Sequence, residues 1–337
     1  MFFHASILLL SFLLILAASE AFTNGVEWAG RRLEIAESAV GSLLAAVGTA
    51  LPETLIPAVA LVSGRGRSLS HSAVGVGAIV GAPLMLSTVA LMVMGTAAMA
   101  FRQRSNLVVV SRDAARRDLR FFLLNFSVLA ALGLFQPGLN LRRLFAVLLL
   151  GIYGFYAYVV LRLERSEETV IEHGLYLETL FGGDSSEPRA AITALQVLIA
   201  VGMILAGASL FVEQVILLSR HLGFDPGVVS LILSPLATEL PEKYNSVVWI
   251  RQSKDHLALA NITGAMVFQA CIPGALGLAF TSWHLTSAQW IACSVAVVSA
   301  AILYLNVRNG YLKTPAMMFG GVAYLVFIGG LWMVGAI

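Results

Sequence analysis

The sequence predicts an all-α polytopic membrane protein of about ten transmembrane helices, arranged as two inverted five-helix repeats. Three observations predict this. Apolar residues make up 58% of the 337-residue chain and charged residues only 12%, about half the charged share of an ordinary soluble domain. The apolar residues fall into blocks of roughly 20 or more, the length a helix needs to cross a bilayer. The second half of the chain also repeats the first at one fixed offset.

The first block lies in MFFHASILLLSFLLILAASEA. It ends in small residues, as a cleaved signal peptide does, but has no positive n-region. Because the repeat described below extends into it, it is read as a first span over about residues 5–28. Further helices are predicted at about 36–62, 72–101, 119–136, 141–163, 190–218, 226–250, 255–281, 285–306 and 314–336. Polar links such as SGRGRSLS (63–70) and RQSKD (251–255) separate them. Two links are longer: the arginine-rich 102–118 and the acidic 164–189. Residues 1–163 therefore form the first transmembrane repeat, 164–189 a connecting acidic loop and 190–337 the second repeat. The loop carboxylates lack the spacing of an EF-hand and read as a solvated connection.

Loop cations orient a helical membrane protein, because Lys and Arg concentrate on the cytoplasmic side. With the N-terminus outside, 15 cations fall in inside connections and 5 in outside ones, and Lys243 stays within a span. The expected topology is N-terminus outside with the acidic loop in the cytoplasm, in the plasma membrane. The net charge of +2 and the absence of a basic stripe exclude a nucleic-acid partner. Cys271 and Cys293 lie in apolar blocks and suggest neither a disulfide framework nor a metal site. No HExxH or GxSxG is present, so no enzyme chemistry is expected.

Adding 189 to each residue number of the first helix pair lays it on the second half. Leu9, Phe22 and Arg31 meet Leu198, Phe211 and Arg220, and Thr49, Leu51, Pro52 and Glu53 meet Thr238, Leu240, Pro241 and Glu242. The apolar matches are cheap; a shared Thr-x-Leu-Pro-Glu is specific. Five spans per repeat is an odd number, so the copies enter the membrane from opposite sides. A pseudo-two-fold axis in the membrane plane then brings the two motifs face to face.

Proline removes a backbone donor and clashes with the preceding turn, so each span is expected to break at Pro52 and Pro241. Freed carbonyls inside a bilayer must line a polar cavity or meet an ion. Glu53 and Glu242 add negative charge there, and Thr49 and Thr238 add hydroxyls. Such an oxygen set suits a hard cation, and calcium accepts about 6–8 oxygens in flexible geometry. The plainer reading is a pair of kinked helices whose glutamates pair with neighbours. Intramembrane carboxylates are costly and usually functional, and two copies on symmetry-related helices favour the ion site.

The two Thr-x-Leu-Pro-Glu stretches resemble the two α-repeats of the sodium/calcium exchanger family, within the cation/calcium antiporter superfamily. A glycine-bearing segment follows each, GVGAIVGAPLMLS (75–87) and LANITGAMVFQAC (259–271). The resemblance implies ten helices, with helices 2, 3, 7 and 8 around the ions and helices 1 and 6 sliding across them to give alternating access. It implies that Glu53 and Glu242 bind Ca²⁺ and Na⁺, assisted by Thr49 and Thr238. The chain departs from the family at Ala82 and Ala265, where sodium-binding serines are usual, and at Leu86 and Gln269, where Asn or Asp is usual; Gln269 is kept as a candidate ligand. Asn261 and Thr263 offer further polar atoms, or hydrogen-bond within their own helix.

The second repeat adds Glu239 and Lys243 where the first has Ala50 and Thr54. Spaced i, i+4 with the acid first, they have the favourable order for a helix ion pair. Either Lys243 merely neutralises Glu239, or its ammonium takes a place that sodium fills in relatives. The expected function is secondary antiport of Ca²⁺ or a similar divalent cation against Na⁺, by a monomer in the lipid bilayer whose partners are inorganic cations, without a cofactor. The alternatives are coupling to H⁺, since adjacent carboxylates repel when no cation separates them, and a transport-inactive sensor or scaffold. Glu20 and Glu213 are candidate cavity-lining groups in the sliding helices.

Overall fold

The structure is a computed structural model that describes residues 2–32, 45–62, 68–101, 107–163, 174–180 and 188–337. Helices α1 (Phe2–Arg32), α2 (Ala45–Val62), α3 (Leu69–Phe101), α4 (Arg112–Phe135) and α5 (Leu139–Leu163) come first. A short helix α6 (Tyr176–Leu180) follows. Then come α7 (Ala190–Leu222), α8 (Pro226–Thr238), α9 (Leu240–Arg251), α10 (Asp255–Phe280), α11 (Ser287–Asn306) and α12 (Thr314–Met333).

Eight of these, α1, α3, α4, α5, α7, α10, α11 and α12, are long and apolar enough to cross a membrane. Each predicted span has its helix, but the proline motifs differ from expectation. Helix α2 runs through Pro52 and Pro57 without a break, because a proline at each place costs a hydrogen bond but the flanking turns hold. The second copy does break: Glu239, at φ −93 and ψ 11, separates α8 from α9. The start of the second predicted span, residues 36–44, lies outside the described residues.

Local chemistry sets the ends. Asp225 accepts from the backbone N–H groups of Gly227 and Val228, and Pro226 opens α8, the favoured arrangement at a helix start. Gly223 closes α7 at φ 74, a conformation that glycine adopts without a Cβ penalty. Thr286 and Gln289 form a reciprocal capping box on α11.

Side-chain contacts give the helix directions. Along α1 and α7, His4 reaches Gln214, Ile15 meets Gly207, and Gly25 meets Val197, so the two run antiparallel. Arg116 reaches Tyr304 while Gly133 meets Trp290, so α4 and α11 are antiparallel as well. Helices α1 and α7, which the offset equates, therefore run in opposite senses, as an inverted pair of repeats would require. By contrast α3 and α8 run parallel, with Gly77 against Gly227 and Gly81 against Leu231. A methyl on either glycine would strike the backbone carbonyl of its neighbour, so glycine is what permits this close approach.

Among the described residues, three buried clusters divide the interior, the smallest holding Ala18, Phe22, Ala200 and Ile204 between α1 and α7; the two larger ones span more helices. One joins α1, α2, α3, α7 and α8 through Ile15, Ile56, Val74, Phe211 and Val215; the other joins α3, α4, α10, α11 and α12 through Leu84, Phe122, Met266 and Phe327. Leu148, Leu198 and Leu325 face outward, as lipid-facing side chains must. Helix α3 carries a π-helical turn at Leu86–Ala90, against whose Thr88 carbonyl Gly320 of α12 packs.

Three features were not predicted. Strands β1 (Leu107–Val109) and β2 (Tyr311–Lys313) pair antiparallel, and Asp255 accepts from the Val109 N–H at 3.0 Å. Three connections assigned to the same side of the membrane thus meet one another. The third feature is α6, which sits across α1 and α7. The Asn24 amide donates to the Gly174 carbonyl at 3.3 Å, while Asn24 Oδ1 accepts from the Tyr176 N–H at 3.2 Å. Gln196 Oε1 accepts from the Leu177 N–H at 2.7 Å, and its Nε2 donates to the Ala21 carbonyl and to Asn24. The Tyr176 hydroxyl donates to Glu20 at 3.0 Å; burial, and then that bond, push its phenol up to about 12.

Candidate functional site

The site forms where α2, α8, α9 and α10 meet. Pro52 and Pro241 cannot donate to the turn before them, and the glutamate after each is buried, Glu53 at 4% exposure and Glu242 at 1%. Glu53 lies within electrostatic reach of Glu242, Glu239 and Lys243 together. Both carboxylate oxygens of Glu53 lack a hydrogen-bond partner among the described residues. A buried acceptor left so costs about 1–3 kcal/mol, and more when charged.

Glu239 sits at the joint between α8 and α9 with no exposed surface. Its Oε2 accepts from Lys243 Nζ at 3.1 Å, so the helix ion pair read from the i, i+4 spacing is formed. Its Oε1 has no partner among the described residues. Thr238, also buried, donates to the Ser234 carbonyl at 3.1 Å, which leaves its oxygen lone pairs open. Gln269 on α10 is buried at 1% exposure, and neither its Oε1 nor its Nε2 finds a partner among the described residues. Thr49 lies on α2, one turn before Glu53; its side chain falls outside the described residues.

Asn261 and Thr263 both reach beyond their own helix. The Asn261 amide donates to the Glu242 backbone carbonyl at 3.1 Å and to Ser246 Oγ at 3.4 Å, pinning α9 to α10 beside the motif. Thr263 donates to Asp118 on α4 at 2.8 Å, an acid that also takes bonds from Tyr156 and Arg117. Ser230 and Ser234 were missed in the sequence. Ser230 donates to the Val74 carbonyl and shares a 2.8 Å bond with Ser234, so hydroxyls line one side of α8 up to Thr238. Their i, i+4, i+8 spacing was the available signal. Glu20 and Glu213 do not join the site. Glu20 accepts from Tyr176, and Glu213 lies 3.4 Å from His71 Nε2 near the opposite end of α7.

Among the described side chains, the first repeat contributes little beyond Glu53. From Ala73 to Leu86, α3 carries no polar side chain, and Val74–Leu86 is buried throughout. Ser87 and Thr88, which follow, give their hydroxyls to backbone carbonyls of the preceding turn. Among the described residues, no three His, Cys, Asp or Glu side chains are arranged as a closed metal site. What the site offers is an oxygen-rich, net-acidic cluster of buried side chains at a helix joint.

A family model described as sodium/calcium exchanger protein matches residues 3–162 and 192–334. CaxA of Alkalimonas amylolytica, named as a candidate antiporter, is 24% identical over 328 residues, covering 95% of each chain. An uncharacterized membrane protein of Methanocaldococcus jannaschii is 24% identical over 335 residues, covering 96% of this chain and 97% of its own. Solved structures that share the fold include the following two. The crystal structure of the H⁺/Ca²⁺ exchanger CAX matches with a TM-score of 0.77 at 19% identity, over 98% of this chain and 82% of that one. The sodium-calcium exchanger NCX_Mj matches with a TM-score of 0.60 at 19% identity, over 97% of each chain.

Proposed function

We propose that this chain, which belongs to the sodium/calcium exchanger protein family, carries a divalent cation through Glu53 and Glu242 in exchange for monovalent cations. The cargo is Ca²⁺ or a similar hard cation. One observation carries the reading: each copy of the Thr-x-Leu-Pro-Glu motif sends a carboxylate into the interior, and the two lie within electrostatic reach of each other. Two ionised carboxylates in a bilayer repel unless a cation stands between them. Thr49, Thr238, Gln269 and Glu239 supply the remaining oxygens, and the set closes around the ion only when it binds. Alternating access follows if α1 and α7 shift across the site. The protein works as a monomer in the plasma membrane, with its N-terminus outside and residues 164–189 in the cytoplasm.

Sodium is the leading coupling ion because the family resemblance favours it. Protons are the second reading, favoured by Ala82 and Ala265, which offer no hydroxyl to sodium. In proteoliposomes, Glu53→Gln and Glu242→Gln should each abolish Ca²⁺ uptake under every imposed gradient. Retained uptake in both would remove these residues from the mechanism. Comparing Na⁺ and pH gradients in the wild type separates the coupling ions.

A further inference from the structure

We infer that Lys243 is a built-in counter-cation that fixes the movable charge of the site at two, so that one divalent ion exchanges for two monovalent charges without net charge transfer. The inference rests on Glu53 and Glu242 being the ion ligands. It starts from the asymmetry of the two repeats. At the positions of Glu239 and Lys243 the first repeat has Ala50 and Thr54, so the second copy alone adds an acid and an ammonium. The pair is closed at 3.1 Å, with both side chains buried. Its ammonium acts on Glu53 as well.

With all three carboxylates, Glu53, Glu239 and Glu242, ionised as cation binding requires, one ammonium leaves the site two negative charges. One divalent ion balances them, and so do two sodium ions or two protons. A third monovalent cation would leave an excess positive charge inside the bilayer, which costs several kcal/mol unless paired. It would also lack ligands, because the α3 face from Ala73 to Leu86 offers no side-chain oxygen. The nearby buried acid Asp118 does not alter the balance: Arg117 answers it at 3.0 Å.

The test is Ca²⁺ accumulation in proteoliposomes at a fixed monovalent gradient, at zero potential and at about −100 mV set by a permeant lipophilic ion. Wild type should reach the same accumulation ratio at both potentials. Lys243→Met bares Glu239, admits a third monovalent charge, and should shift the ratio roughly fifty-fold, the factor for one charge per cycle. Glu239→Gln with Lys243→Met restores two negative charges and should again be insensitive to potential. A fifty-fold shift in wild type or in the double variant overturns the inference, and so does an active Lys243→Met that ignores potential. If Lys243→Met is inactive, wild type and the double variant decide. Uptake that survives both Glu53→Gln and Glu242→Gln defeats the ligand assignment; uptake lost in both, beside a potential-driven wild type, defeats the counter-cation alone.

Discussion

At the scale of single residues, the glutamates and Gln269 differ in what their burial costs. Gln269 buries a whole amide without a hydrogen-bond partner among the described residues. An apolar replacement of similar size removes that penalty of about 1–3 kcal/mol. Gln269→Leu should therefore raise the unfolding temperature in detergent while raising the Ca²⁺ concentration for half-maximal uptake at least tenfold. A merely structural glutamine would show the first change and leave the Ca²⁺ dependence where it was. Asn261→Leu should behave differently, losing both stability and uptake, because its amide holds the Glu242 carbonyl. The repeated Thr-x-Leu-Pro-Glu made Glu53 and Glu242 legible in the sequence, since an acid kept twice inside an apolar span, at one offset, must meet a positive charge there. The partner of Asn261 was not legible: a lone polar side chain in an apolar helix bonds its own backbone or a neighbour's, and only packing decides which.

At the scale of elements, α3 and α8 hold the site from one side, and their spacing depends on glycine. Gly77 and Gly81 let α3 lie on the backbone of α8 at Gly227 and Leu231. Gly77→Ala and Gly81→Ala should each cost about 1–3 kcal/mol through overpacking, read as a lower melting temperature. Gly202→Ala, which meets nothing within 4 Å, should leave it unchanged. The helices themselves were readable because twenty apolar residues in a row admit few alternatives, and their ends fell where links were polar. The three-residue strands and α6 carry no periodicity long enough to announce themselves. Proline misled at α2, where the helix tolerates a missing hydrogen bond without breaking, whereas Glu239 in the second copy gives way.

At the scale of the whole molecule, the fold makes the topology testable. The structure joins residues 107–109, 311–313 and Asp255 at one end of the bundle, while Ser68 and His71 stand beside Glu213 near the C-terminal end of α7. With the N-terminus outside, Ser68→Cys should react with an impermeant maleimide in intact cells, and Lys313→Cys only after permeabilisation. The native cysteines are both buried, so background labelling should be low. The opposite pattern would reverse the assigned orientation. The count of spans led to the expectation of an inverted architecture, whereas the sense in which helices pass one another becomes visible only through contacts such as His4 with Gln214.

The seat that Asn24 and Gln196 make for the backbone at 174–177 turns the tether between the halves into a dowel driven through two rods. The peg then adds to the direct packing of the two rods, and an unbroken thread of chain is not needed to keep them in step. Halves expressed as separate polypeptides should dock into a working exchanger when one of them ends in residues 174–180, and drift out of alignment when neither does.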